Sequence, residues 1–457
     1  MAAKDPTNYN DYIHEPNNQD LGNIPGDYGL PLIGHSISFL KDPFVWARAQ
    51  NEKYGLLSRV NTFGSRGVIA LGPDLAQQIL VDSGRNFSSR MGFMDRVASF
   101  FPGSLIMEDF EHHKHQRRIF QSAFKFDALK HYTRGINNIY DRTLTSWEAD
   151  VGSEIKFFGH IKDLLLEVAA EIFIGEKKDG GDFKKINRAF TNCVNGMMYI
   201  FPINLPGFIY YKGIKGRNFL QKYFGKLVAK KRNGDGLDML SHLCREKDEN
   251  GNFFTDEEVS NQMSFLLFAA HDTTTAAVTH TIYYLARNPE VKERLYQECK
   301  ALGKDTLDYD DLNIMTYMQQ VFNEVQRMRP SVPMVPRRTI REVEMAGHII
   351  PAHTMVYNLP RFSHWMEEYW TEPTKFDPDR FSPERAEHKK HSFIFHPFGG
   401  GAHKCIGMHF SQMEYKCFMY KFMLKFDFES RHKKEPYMQS LPLPKPADNM
   451  PIMLIKR

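Results

Sequence analysis

One short stretch of the 457-residue chain concentrates residues whose types could do chemistry. It reads Phe398, three glycines (Gly399, Gly400, Gly401), Ala402, His403, Lys404, Cys405, Ile406, Gly407. Good helix formers begin at Met408, with no breaker through Tyr415. A cysteine just ahead of a helix faces the positive end of the peptide dipoles and unpaired backbone N–H groups. Both favour thiolate over thiol. The glycines let the backbone close tightly around the sulfur and aim amide hydrogens at it. Phe398 offers an aromatic edge that shields the sulfur or lies against a flat ligand. The residues describe a sheltered, electronically tuned thiolate.

Its partner is the question. A nucleophilic cysteine needs a base nearby in space. A zinc site wants further Cys or His at short spacing, yet the nearest cysteine, Cys417, is twelve residues on. A lone thiolate suits a metal whose other positions are filled, and haem iron with an axial thiolate fits. For Cys-Ile-Gly alone, a buried cysteine in a glycine-rich turn is the better reading. The full run is more specific. It resembles the haem-binding loop of the cytochrome P-450 family, Phe-x-x-Gly-x-(Arg or His)-x-Cys-x-Gly, with Phe398, Gly401, His403, Cys405 and Gly407 all matching.

A second group lies in a long helix. Thr255 and Glu258 form a capping box, and no proline follows until Pro289, so one helix of roughly thirty residues, about 45–50 Å, is expected. Its middle, Met263 to Ala270, is apolar nearly all round and so expected to be buried. His271-Asp272-Thr273-Thr274-Thr275 follows directly. A charge and three β-branched alcohols are locally unfavourable there, as at working sites. Threonine can bond back to the carbonyl four residues earlier and loosen the turn. Asp272, Thr273 and a water would then form a proton relay. Alone, an Asp-Thr-Thr is more often a satisfied polar kink. After Ala269 and Ala270 it resembles the family's (Ala/Gly)-Gly-x-(Asp/Glu)-Thr-Thr oxygen-activation motif, with Ala270 replacing the glycine. Ala269 and Ala270 would then border the oxygen groove, one methyl narrower.

The remaining motifs would position these two. Glu111 to Phe124 reads as a helix dense in His112, His113, Lys114, His115, Arg117 and Arg118. Histidines there allow zinc, but a solvated basic face is the stronger reading. His113 and Arg117 share a face. They match the family's pair for a haem propionate, which arginine suits through its forked donors. Arg337 matches the family's second propionate arginine. Glu324 and Arg327 lie three apart and, with Arg380, resemble the family's Glu-x-x-Arg network, structural rather than catalytic.

Composition sets bounds. The length allows two or three domains or one large unit. Apolar residues make up 42%, enough for a substantial core, and a net charge of +4 gives no argument for nucleic acid. Five scattered cysteines argue against a disulfide framework and for a reducing compartment. The first 23 residues are polar, with neither signal peptide nor membrane anchor, so a soluble, cytoplasmic protein is expected, with at most peripheral membrane contact.

Along the chain, a proline-rich segment from Pro25 precedes an expected first helix, Pro43 to Tyr54. Strand-like runs Leu57 to Phe63 and Gly67 to Leu71 flank a connection at Gly64-Ser65-Arg66. Cys193 to Tyr211 is apolar and aromatic, a core segment or a mobile lid, and falls where the family has its substrate-access loop. Lys212 to Arg232 carries eight basic and no acidic residues. It reads as a solvated helix face, able to attract an anionic substrate or a membrane surface. Val343 to Tyr357 reads as a strand pair around Gly347 and Pro351-Ala352, with His353 where the family has glycine. Ser440 to Pro446 is expected to return a hairpin tip to the substrate pocket.

The resemblance covers the chain from Ile24 to about Ile455. It implies a mainly α fold with small β-sheets: residues 1–23 as a polar tail and 24–457 as a single prism-shaped haem-thiolate monooxygenase domain. It also implies haem b (iron protoporphyrin IX) held by the Cys405 thiolate between the long helix and the Cys405 helix. Asp272 and Thr273 would deliver protons while dioxygen oxidises a lipophilic small molecule of sterol, retinoid, terpenoid or fatty acid type. With no redox domain in the sequence, electrons are expected from a separate ferredoxin or flavoprotein docking at Lys114, Arg118 and Lys404. A peroxygenase would dispense with the proton relay, a haem sensor or carrier would show no turnover, and a cysteine hydrolase would be colourless.

Overall fold

A computed structural model describes residues 12–15, 18, 20–177, 182–199, 201–248, 250–430, 436–440 and 444–457. The chain forms two compact units, one of Met1–Gln116, Val332–Lys375 and Pro383–Cys405, the other of Arg117–Ser331, Phe376–Ser382 and Ile406–Arg457.

The first unit is built on a five-stranded sheet. Leu57–Thr62 pairs antiparallel with Ser65–Ala70, in the register Thr62 to Ser65. The turn is therefore Phe63-Gly64, with φ of 53° and 79°. Two successive positive φ values match the right-handed twist of a hairpin, so Ser65 and Arg66 enter the strand rather than the expected connection. Val68, Ile69 and Ala70 are fully buried. That strand pairs parallel with Met355–Asn358, which pairs antiparallel with Val335–Thr339, and this last with Phe87–Ser88. Arg337 is thereby placed on an inner strand. The expected pair over Val343 to Tyr357 is corrected. Val343–Met345 pairs with His348–Ile350, while Met355–Asn358 leaves for the main sheet. Pro351 cannot donate to a ladder, and His353 at φ 64° turns the chain away in the left-handed conformation that suits glycine.

Pro43–Tyr54 is helical, its first turn closed by Asp42, whose carboxylate accepts from the Phe44 and Val45 amides. It is the second helix, not the first, since Ser36–Lys41 precedes it. Upstream, Leu21 and Ile24 are buried, and the Tyr12 hydroxyl donates to Asp109 at 3.2 Å. The helix expected from Glu111 runs over Phe110–Ser122, and Phe110 itself has a positive φ of 50°.

The second unit is mostly helical, with a three-stranded sheet of Glu154–Lys156, Pro451–Lys456 and Phe426–Ser430. Its longest rod is Asp256–Arg287, 32 residues. Thr255 accepts from the Glu258 amide at 3.2 Å while Glu258 accepts from the Thr255 amide at 2.8 Å, the reciprocal cap its spacing predicts. Most of the rod is buried. Phe265, Phe268, Ala269 and Ala270 are only half-buried, which corrects the expectation of burial all round. Hydropathy cannot separate an apolar stripe packed by protein from one left partly open.

Cys193 and Val194 end a buried helical face in Phe183–Gly196. Phe201, Leu205 and Phe208 beyond it are 70, 60 and 46% exposed, so only the start of that apolar stretch is core. The basic run forms the helix Ile209–Arg232, burying Leu220, Phe224 and Val228 at four-residue spacing. Met438–Gln439 pairs with Lys445–Pro446, while residues 441–443 of the expected hairpin tip lie outside the described residues. Among the described residues no helix is long and apolar enough to cross a membrane.

Candidate functional site

Four of the five cysteines, Cys193, Cys244, Cys299 and Cys417, are buried, and Cys405 alone is exposed. Burial pushes the thiols of Cys193 and Cys417 up to about 12 and that of Cys244 up to about 11, which keeps them inert. The loop before Cys405 closes through backbone bonds. The Cys405 amide donates to the Phe398 carbonyl at 2.9 Å and the Lys404 amide to Gly401 at 3.2 Å. Gly401 has φ +59°, and a Cβ there would sit 2.0 Å from the Leu80 carbonyl oxygen. Only glycine fits. Gly407 then caps the helix Met408–Lys425, so the cysteine stands just ahead of a helix as its neighbours predict.

The same unit gathers His113, His403 and Arg337 around a residue that sequence reasoning missed, Asp109. Asp109 is 1% exposed and accepts from Ser88 Oγ at 2.5 Å, the Ser89 amide at 2.8 Å and the Arg90 amide at 3.3 Å. His403 Nε2 lies 3.9 Å from its carboxylate, and the His403 and His113 rings lie tilted by 34° with centroids 3.9 Å apart. Arg337 is buried. Desolvation brings its guanidinium down to about 10, with the Asp109 and Asp82 charges opposing. Its hydrogen bond is from Nη1 to the Pro336 carbonyl at 2.9 Å, and it makes no ion pair among the described residues. A buried cation with donors to spare fits an anionic ligand group such as a carboxylate. Asp109 carried no local signal beyond its place ahead of a helix.

The second unit holds Ala269, Asp272, Thr273, Arg117 and Gly407. Thr273 Oγ1 donates to the Ala269 carbonyl at 2.7 Å, the back-bond expected of a mid-helix threonine, and Ser331 Oγ donates to the Thr273 carbonyl at 3.0 Å. Asp272 is set by two residues the sequence reading did not supply. His271 Nδ1 lies 2.8 Å and Lys162 Nζ 3.7 Å from its Oδ1. Burial would raise this carboxyl, but His271 and then Lys162 outweigh it and hold it below its usual range. Lys162 reaches it from the helix Phe157–Val168. Arg117 is half-buried one turn past His113. Glu414, also missed, is fully buried, and desolvation pushes its carboxyl up to about 8, with the Thr274 hydroxyl opposing.

Glu324, Arg327 and Arg380 come together as their pattern suggests, all without exposed side-chain surface. Arg327 donates to both Glu324 oxygens, at 2.6 and 2.8 Å, and Arg380 Nε and the Asp377 amide donate to Oε1 at 3.1 and 2.9 Å. In the basic helix, His112, Lys114 and Arg118 are exposed and His113 is buried. Among the described residues no group of three His, Cys, Asp or Glu could hold a metal, so zinc is unsupported there. A single exposed cysteine and a buried guanidinium in no ion pair among the described residues fit an iron porphyrin that carries carboxylates.

Comparison with known proteins agrees. The cytochrome P450 family profile matches residues 24–450. The chain is similar to cytochrome P450 136 of Mycobacterium tuberculosis, 34% identical over 446 residues, covering 97% of this chain and 90% of that protein. It is 28% identical to the beta-amyrin 11-oxidase of Glycyrrhiza uralensis over 457 residues, covering 94% and 90% of the two chains. The solved structure of retinoic acid-bound cyanobacterial CYP120A1 superposes with a TM-score of 0.85 at 26% identity, over 95% of this chain and 99% of that one. With the Cys405 loop, long helix and buried Glu-Arg network now described, and this profile spanning nearly its whole length, the chain belongs to the cytochrome P450 family of haem-thiolate monooxygenases.

Proposed function

We propose that this protein oxidises a lipophilic small molecule of isoprenoid type, with Cys405 as the residue whose sulfur would hold haem b. The observation that carries the reading is the Cys405 loop: the one exposed cysteine, on a turn that only glycine at 401 can close. Arg337, His113, Arg117 and His403 would hold the haem carboxylates. Phe398, Gly407 and Ala269 would contribute further contacts to the haem. When bound, a thiolate-ligated haem supplies reductive activation of dioxygen and oxygen insertion into a C–H bond.

The chain's own residues manage protons and water. Asp272, held ionised by His271 and Lys162, accepts a proton from the outside and returns it inward. The Thr273 hydroxyl, tied to Ala269, can accept that proton while giving up its own, because a hydroxyl both accepts and donates. The apolar stripe of Phe265, Phe268 and Ala269 would exclude bulk water on the same helix. The isoprenoid assignment is supported by a beta-amyrin oxidase among the relatives and by retinoic acid in a similar structure. The exposed Phe201, Leu205 and Phe208 offer such a molecule an apolar approach. Electrons would come from a separate ferredoxin or flavoprotein, with exposed Lys114, Arg118 and Lys404 as its docking charges.

The test is the carbon monoxide spectrum of the reduced protein. The long-wavelength Soret band of sulfur ligation is expected in the parent and absent in Cys405→Ser; its survival in the variant would overturn the reading. Triterpenes and retinoids should shift the haem spin state on binding, whereas Thr273→Ala should raise peroxide release per electron consumed.

A further inference from the structure

His271 is buried, and each of its ring nitrogens meets an atom that cannot supply a proton unless it is itself protonated. Nε2 lies 2.8 Å from the Lys162 carbonyl oxygen, which only accepts, so Nε2 carries hydrogen. Nδ1 lies 2.8 Å from Asp272 Oδ1 and has no other partner. The pair does not meet hydrogen-bond geometry, so this is an ion-pair contact. Were both atoms bare, an electron-rich nitrogen would sit 2.8 Å from a carboxylate oxygen away from water, which is repulsive. The pair therefore carries one proton. The ring is wedged edge-on against Phe190 at a centroid distance of 5.6 Å, so it cannot turn away easily.

We propose that His271 carries this proton on Nδ1 and transfers it to Asp272, acting as a second, internal proton carrier behind the carboxylate. The proposal rests on the relay reading of Asp272 and Thr273 and deepens it. The step balances simply. The Nδ1–H bond breaks, an Oδ1–H bond forms on Asp272, and His271 is left neutral with hydrogen on Nε2. Asp272 passes a proton onward through Thr273, and a solvent proton restores His271 by way of the partly exposed Lys162 ammonium and the Asp272 carboxylate. His271 acts through Asp272, so it is a positioning and proton-storing residue rather than a catalytic one. The charged groups facing the pair are Lys162 from the helix Phe157–Val168 and Lys445, whose charge interacts with both Lys162 and Asp272. From the helix Phe183–Gly196 it meets the uncharged Phe190. The Asp272 carboxyl is held low by this same ring and by Lys162, which favours its carboxylate form.

Two measurements on the full chain with haem incorporated test this. Histidine ring nitrogens labelled with nitrogen-15 are compared between the parent and His271→Gln. The signal present in the parent and lost in His271→Gln should show both nitrogens protonated at neutral pH, and a bare Nδ1 would overturn the proposal. Separately, peroxide released per reductant consumed is followed against pH. His271→Gln should raise it on the order of tenfold, below the roughly 10²–10⁴-fold range of a general acid itself, and should flatten its pH dependence. His271→Asn, which retains a hydrogen-bond donor but no titrating ring, should behave as His271→Gln does; recovery of parental coupling in Asn would assign His271 a purely structural role and overturn the proposal. If Asp272→Asn uncouples and His271→Gln does not, the relay stands and the His271 proposal fails. If neither uncouples, although both nitrogens are protonated, the relay reading itself fails.

Discussion

Glu324 Oε1 accepts from Arg380 Nε at 3.1 Å across 56 residues of sequence, while Arg327 holds the same carboxylate from one helical turn away. One anion is thus buried with two cations, and the Asp377 amide supplies a further donor. Removing the anion takes a buried carboxylate partner from both guanidiniums. Glu324→Ala is expected to cost about 3–5 kcal/mol, and Arg380→Leu a comparable amount, read as a lower urea midpoint. An unchanged midpoint would show that the network holds nothing together.

Gly401→Ala should damage the loop more than its single methyl suggests. The added Cβ overlaps the Leu80 carbonyl, and φ +59° costs a non-glycine residue about 1–2 kcal/mol besides. Folded helix content by far-UV circular dichroism should persist while haem incorporation falls sharply.

Arg337→Met tests the idle guanidinium. A buried cation that forms no ion pair and is opposed by desolvation adds little to the polypeptide's stability, so the haem-free variant should unfold at the parent's denaturant concentration or above it. Haem retention during gel filtration should drop. A large loss of haem-free stability would instead assign Arg337 to structure.

Glu414 makes stability depend on pH in a direction opposite to most carboxylates. Its folded value, about 8, lies above the unfolded one. From about pH 4.5 to 8 the unfolded chain therefore binds fewer protons than the folded one, and stability falls as pH rises. Glu414→Gln should remove that slope and raise stability at pH 7 by up to about 3 kcal/mol.

Ala270→Gly should weaken the long helix by about 1 kcal/mol, because mid-helix glycine loses more backbone freedom on folding. If Ala270 borders the oxygen groove, as the family motif implies, removing its methyl should lower peroxide released per reductant. Unaltered coupling would mean that the groove tolerates alanine.

By itself the sequence determined what local rules can determine. A capping box and the absence of proline give the long helix, three glycines ahead of Cys405 give the loop, and Thr273 four residues past Ala269 gives the back-bond. Each depends on neighbours within a turn or two, so spacing is enough. It could not supply Lys162 beside Asp272, Asp109 beneath His403, or the Asp377 amide on Glu324, because those contacts join residues distant along the chain. Nor could it distinguish the buried face of Met263–Ala270 from the half-open stripe at Phe265, Phe268 and Ala269, since hydropathy reports a side chain's chemistry and not what lies opposite it. Which protons are held, and where, follows from burial and from partners, and both exist only once the chain has folded.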